Sequence, residues 1–125
     1  MFGLTMIKEY LDELLDGVKT YDARSYPTNK RGVIALVDSR TMRVYGVIEL
    51  VGIRKITPEE YAKWHCTGKF KGMEFLIDSS KEYYAYEFVN PRKLVNPIKL
   101  NVAKKTWVEI DVAIQESFYF ENRLF

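Results

Sequence analysis

Lys19, Asp22 and Arg24 bring an ammonium, a carboxylate and a guanidinium together within six residues. An arginine offers a planar fork for phosphate or carboxylate oxygens, and a lysine offers a point charge. An aspartate accepts from an exocyclic amine or a ribose hydroxyl. A carboxylate held against such cations stays ionised near neutrality, so it orients a ligand better than it donates a proton. The trio therefore suits binding of a base or a phosphate. A solvated strand edge with an incidental ion pair is the competing reading. Tyr21 and Tyr26 flank the trio, and a base stacked on such a ring gains about 1–3 kcal/mol. For Tyr21 a place in the wall of the core is the stronger reading, whereas Tyr26, beside Pro27, belongs to a loop at the surface. Lys30 and Arg31 can extend a positive rim toward a phosphate backbone, or simply solvate a turn.

The elements that must position these groups are legible from pattern. Ile7, Leu11, Leu14, Leu15 and Val18 recur at helical spacing after Thr5, which can cap the helix. Gly17 ends it, since glycine reverses the chain in the left-handed conformation. If the chain then runs extended, alternation places Thr20, Asp22 and Arg24 on one face and Tyr21 and Ala23 on the other. Lys19, at the end of the turn, has a stem long enough to reach the Asp22 side. The loop 25–30 leads to Gly32–Val37, a run too uniformly apolar for a strand with one wet face and so a central strand. Asp38–Thr41 reads as a turn and Met42–Ile53 as a second strand, with Gly46 and Gly52 suited to bends or bulges. Thr57-Pro58-Glu59-Glu60 is a capping box that opens a helix over Pro58–Trp64. Beyond the 66–81 connection, Tyr83–Phe88 and Thr106–Ile110 read as strands. Asn90-Pro91 and Asn96-Pro97 punctuate the stretch between them. The result is an α+β, mainly β chain, a curled mixed sheet or small barrel, with a two-layer α+β sheet as the alternative.

Bulk properties narrow the function. The 125 residues suit one domain, 1–125, and a hydrophobic fraction of 47% with 29% charged residues is ordinary for a globular chain. Nineteen Lys+Arg against 17 Asp+Glu leave a formal charge of +2, so any nucleic-acid role must come from a local site. The single cysteine, Cys66, makes no internal disulfide, and one histidine with it cannot complete a zinc site without carboxylates. No metal and no cofactor are expected. No run approaches the roughly 18 apolar residues of a membrane span, so a soluble cytoplasmic protein is expected. His65 and Cys66 are sequence neighbours without the elbow or third orienting group of a nucleophilic site. Trp64, Tyr86 and Trp107 read as packing anchors.

With helix, junction and strands in place, the chain resembles the ASCH domain family of the PUA-like superfamily. That family's pattern is Gly-x-Lys-x-x-Glu-x-Arg after an N-terminal helix. Gly17, Lys19 and Arg24 match it, while Asp22 stands where Glu is usual, one methylene shorter. Arg31–Leu36, Gly46–Leu50, Tyr84–Phe88, Pro97-Ile98 and Trp107 are similar to later elements of the family, so the likeness covers about residues 4 to 110. The resemblance implies a small PUA-like mixed β-barrel with an N-terminal helix and one further short helix, in a superfamily whose better-known relatives bind RNA. It makes Lys19, Asp22, Arg24, Tyr26, Lys30 and Arg31 the candidate RNA or nucleotide contacts. The resemblance also admits a small hydrolase with Lys19 and Asp22 as catalytic residues. Some ASCH members are amidohydrolases of N4-acetylcytidine nucleosides, and others are linked to RNA cleavage. The amidohydrolases carry threonine where Asp22 lies, and a glutamate further on that has no evident equivalent near His65-Cys66-Thr67. A third reading is a protein-interaction domain that uses the aromatic tail, Phe118–Phe125.

Overall fold

The computed structural model describes residues 1–66 and 70–111. The aromatic tail named above lies outside them. The elements run β1 (Phe2–Met6), α1 (Lys8–Leu15), β2 (Tyr21–Arg24), β3 (Gly32–Asp38), β4 (Arg43–Ile56), α2 (Pro58–His65), a 3-10 turn (Glu74–Leu76), β5 (Tyr83–Lys99) and β6 (Trp107–Glu109). The strands form one six-stranded sheet in the order β2-β5-β4-β3-β1-β6.

The interior strand β3 shows why its run is apolar throughout. It pairs antiparallel with β4 and parallel with β1, and its alternate side chains enter two cores on opposite faces. Ile34 and Leu36 join Leu4, Leu11, Leu14, Ile48 and Phe88 beneath α1. Ala35 and Val37 join Val44, Val47, Leu94, Leu100 and Val108 on the other side. Gly46 lets α1 sit close: a Cβ there would lie 2.7 Å from a methyl of Leu15 and 2.5 Å from the carbonyl oxygen of Arg92.

Three expectations need correction. First, among the described residues the sheet does not close into a barrel: β2 and β6 are its two edges. Both are short, four and three residues, and they lie at opposite ends of the strand order. Second, the helix is not the first element, and Thr5 does not cap it. Thr5 belongs to β1, where its hydroxyl donates to the Lys105 carbonyl at 2.7 Å; the N-cap of α1 is Ile7, and Val18 is 71% exposed. Third, β5 continues through both prolines for 17 residues. Asn90-Pro91 and Pro97 fall where the β4–β5 register shifts, so neither ring takes a ladder position that needs an N–H donor. Among the described residues, no helix is long and apolar enough to cross a membrane.

Candidate functional site

Helix α1 ends in a Schellman motif, with Gly17 at φ +75°, Val18 N–H bonded to the Glu13 carbonyl at 2.9 Å and Gly17 N–H to that of Leu14 at 3.3 Å. The reversal delivers Lys19 back over its own helix. Its Nζ lies 3.4 Å from Glu13 Oε1, and 5.7 and 5.9 Å from the ring centres of Tyr10 and Tyr21. Lys19 is thus paired with Glu13.

Alternation along β2 sets Asp22 and Arg24 on one face, where Arg24 Nε donates to Asp22 Oδ2 at 2.6 Å. Arg24 Nη1 donates to the Tyr26 hydroxyl at 2.9 Å and Nη2 to the Thr5 carbonyl at 3.0 Å. All three guanidinium nitrogens therefore bind protein atoms, and the last bond ties edge strand β2 to β1. The two side chains are 15% and 11% exposed for Arg24 and Asp22 respectively. Burial opposes the charge on Arg24, but Asp22 and then Tyr26 more than offset it, and the guanidinium pKa is raised. Tyr26 is fixed in turn: its carbonyl accepts from the Tyr86 hydroxyl at 2.8 Å and its ring meets Tyr86 edge-on.

Helix α2 closes the other side. Its capping box sets the start, with the Thr57 hydroxyl accepting from Glu60 N–H and the Glu60 carboxylate accepting from Thr57 N–H. From there, helical spacing aims Tyr61, Trp64 and His65 toward β2. Trp64 packs on Tyr21 with ring centres 4.4 Å apart, and His65 lies between Tyr61 at 5.0 Å and Phe70 at 5.5 Å. The Tyr10 hydroxyl donates to the His65 carbonyl at 2.7 Å and so pins α1 to α2. Burial lowers the His65 pKa; Asp22 pulls it back, and Arg24 and Lys19 push it lower still. The imidazole is therefore neutral at pH 7. Burial also raises the phenols of Tyr10 and Tyr61, the latter to about 12, so both keep their protons.

Between these elements lies a hollow of about 340 Å³ lined by Thr5, Tyr10, Asp22, Arg24, Tyr26, Tyr61, His65, Phe70 and Lys104, among others. That size is at the lower end of the roughly 300–1,000 Å³ of small-molecule sites. A narrow cleft carries Lys19 and Glu13 against Asp22 and His65 and has about 10 Å³ of free space. The structure thus brings Asp22, Arg24 and Tyr26 to the hollow and Lys19 to the adjoining cleft. Lys30 and Arg31 line neither the hollow nor the cleft, although Arg31 lies close enough to Tyr86, next to Tyr26, to act on it electrostatically. Lys30 Nζ sits over the rings of Phe2 and Trp107 at 4.6 and 5.0 Å, and Arg31 Nη1 donates to the Thr28 and Lys30 carbonyls. Sequence reasoning did not place Tyr10, Tyr61, His65 or Phe70 at the site. The spacing Tyr61-x-x-Trp64-His65 marks one aromatic helix face and was the available signal. Among the described residues, no group of three His, Cys, Asp or Glu could hold a metal ion.

The sequence profile of the ASCH domain matches residues 4–99. Among solved structures, the ASCH protein of Zymomonas mobilis is similar at 14% identity and TM-score 0.67, covering 98% of this chain and 97% of that one. Two variants of that protein, a tyrosine-to-phenylalanine and a serine-to-alanine substitution, give 15% identity and TM-score 0.67 over 87% of this chain and 88% and 87% of theirs. At such identity the likeness establishes the fold. No curated protein matches the chain.

Proposed function

This chain belongs to the ASCH domain family, and from that premise we propose that it binds the base of a nucleotide or of single-stranded RNA in the hollow between β2, α1 and α2. The observation that carries this reading is the composition of the hollow. A nearly buried carboxylate, Asp22, stands among the aromatic rings of Tyr10, Tyr61, His65 and Phe70, with Lys104 also at its wall and Lys19 next door. Rings supply stacking surface for any base, the carboxylate reads an edge, and lysines attract phosphate. Arg24 acts here as a positioning residue, because each of its three nitrogens already donates to Asp22, Tyr26 or Thr5.

Trp64 packs against Tyr21 at the cleft, so its emission is a direct probe. Titration with mononucleotides and a short single-stranded RNA should give saturable quenching. Lys104→Ala and Lys19→Ala should weaken RNA binding and reduce the salt slope by about 0.7 for each phosphate no longer neutralised. Absence of saturable binding, or an unchanged affinity and slope in both variants, would refute the reading.

A second reading keeps the same pocket for a small hydrolase, an amidohydrolase of N4-acetylcytidine type or a ribonuclease. It draws on the neutral imidazole of His65 beside Lys19 and Asp22. Turnover of N4-acetylcytidine or RNA by the wild type, abolished in Lys19→Ala, separates catalysis from binding alone.

A further inference from the structure

We propose that Glu13 is a specificity-determining residue of this site: its carboxylate holds the place on Lys19 that a ligand's phosphate takes, so a phosphate binds by exchange for Glu13 and adds less to affinity than an unpaired lysine would give. The inference rests on the base-binding reading above and deepens it by naming what the phosphate must displace.

The exchange follows from how the cleft is built. After Gly17 the chain turns back along α1, and the N–H groups of Val18 and Lys19 both donate to the Glu13 carbonyl, at 2.9 and 3.1 Å. The backbone itself therefore sets residue 19 beside residue 13, and Lys19 Nζ lies 3.4 Å from Glu13 Oε1. Asp22 lines the same cleft, but its carboxylate is paired with Arg24. Among the described residues, Lys19 ion-pairs with Glu13 alone. The pair is partly enclosed: the two side chains are 21% and 34% exposed, and the rings of Tyr10 and Tyr21 lie 5.7 and 5.9 Å from the ammonium. About 10 Å³ of space is left in the cleft, no more than one water needs. A phosphate group is far larger and cannot join the pair where it stands. Either the phosphate takes the place of the Glu13 carboxylate, or Lys19 swings out to meet it in the adjoining hollow. The contact between Lys19 and Glu13 breaks in both cases, and giving up a partly exposed pair lowers affinity by about two- to fivefold.

Glu13→Gln removes the charge while keeping the side chain's size and the carbonyl that closes the turn. Followed by Trp64 emission at the cleft, the variant should bind CMP about two- to fivefold tighter than the wild type. Cytidine, with the same base and no phosphate, should bind both proteins alike. Asp12→Asn removes the same charge one position earlier on α1, where Asp12 pairs with Lys8 and lines neither hollow nor cleft, and should leave both affinities unchanged. In a Lys19→Ala background the gain from Glu13→Gln should shrink, since no lysine remains to be released. Unchanged CMP binding in a folded Glu13→Gln, an equal gain for cytidine, a gain matched by Asp12→Asn, or one as large without Lys19 as with it overturns the exchange and leaves the base-binding reading standing. If neither CMP nor cytidine binds the wild type saturably, both fail. Thermal melting checks that each variant folds. Should Glu13→Gln not fold, carbon-13 NMR of the wild type decides: the Glu13 carboxylate resonance should move with CMP and stay with cytidine, and a resonance that ignores CMP overturns the exchange.

Discussion

Arg24→Ala should destabilise the fold by about 3 kcal/mol, the low end of the cost of breaking a buried ion pair by removing one partner. The reasoning starts from geometry. The substitution removes three hydrogen bonds and leaves Asp22, 11% exposed, with no Arg24 cation beside it. It also frees the Thr5 carbonyl and so releases the side-chain tie between β2 and β1. Arg24→Lys should recover little, because an ammonium on a flexible stem cannot reproduce a fork that serves three acceptors in three directions. The assay is urea unfolding followed by far-UV circular dichroism. The midpoint should fall with the slope unchanged, which marks a loss of native stability and not a change in the unfolded chain. An internal control is Arg40→Ala: the Arg40–Glu9 pair is 61% and 49% exposed and should matter by less than about 1 kcal/mol. The decisive step is the double-mutant cycle. In an Asp22→Asn background no charge is stranded, so Arg24→Ala should cost at least about 1 kcal/mol less than in the wild type. If Arg24→Ala costs no more than the Arg40 control, or the same in both backgrounds, the guanidinium does not hold this seam.

Gly46→Ala places a Cβ 2.5 Å from the Arg92 carbonyl oxygen and 2.7 Å from Leu15. It should cost about 1–3 kcal/mol by overpacking, read as a lowered urea midpoint; a neutral result would mean that α1 lifts off the sheet freely. Stability should also depend on pH through His65. Burial lowers its pKa from the ordinary 6.5, so below that value the unfolded chain binds more protons than the folded one, and stability falls as pH drops from about 7 toward 5. His65→Gln should flatten that part of the profile, and parallel profiles for variant and wild type would show that the imidazole is as free to charge in the fold as outside it.

What could be read in the sequence was what local chemistry decides. Gly17 at the end of an amphipathic helix, the alternation that pairs Asp22 with Arg24, the Thr57–Glu60 box and the apolar run of β3 each depend on residues a few positions apart. What could not be read depends on partners far along the chain. β1 is five residues long, and its parallel partner, Gly3 against Ala35, begins more than thirty residues later, so Thr5 looked like a helix cap. The prolines of β5 looked like strand ends because their harmless positions are set by the register with β4. His65 looked like an incidental neighbour of Cys66: its spacing with Tyr61 and Trp64 marks a helix face, but only the packing of α2 on β2 turns that face toward Asp22. Lys30 and Arg31 read as a rim, and the loop sets Lys30 over Phe2 and Trp107 and bonds Arg31 to its own carbonyls, contacts that depend on strands far along the chain.

The barrel that the resemblance implied and the open sheet that the chain forms differ at the place where the hollow lies. In a barrel, β2 would find a further strand for its free edge, and backbone pairing would fill the space beside it. Among the described residues β2 is laddered on β5 alone, and a side chain, Arg24, reaches across to one carbonyl of β1. The guanidinium links the two strands by one hydrogen bond and not by a backbone ladder. The hollow beside these strands is lined by Asp22, Tyr10 and Tyr61 among others. One guanidinium thus spans from β2 to β1 through the Thr5 carbonyl and holds the Asp22 carboxylate through Nε, beside the hollow proposed to take a ligand. If the hollow binds as proposed, binding there and stability of the β2 edge share this one arginine, and a substitution at Arg24 should change both.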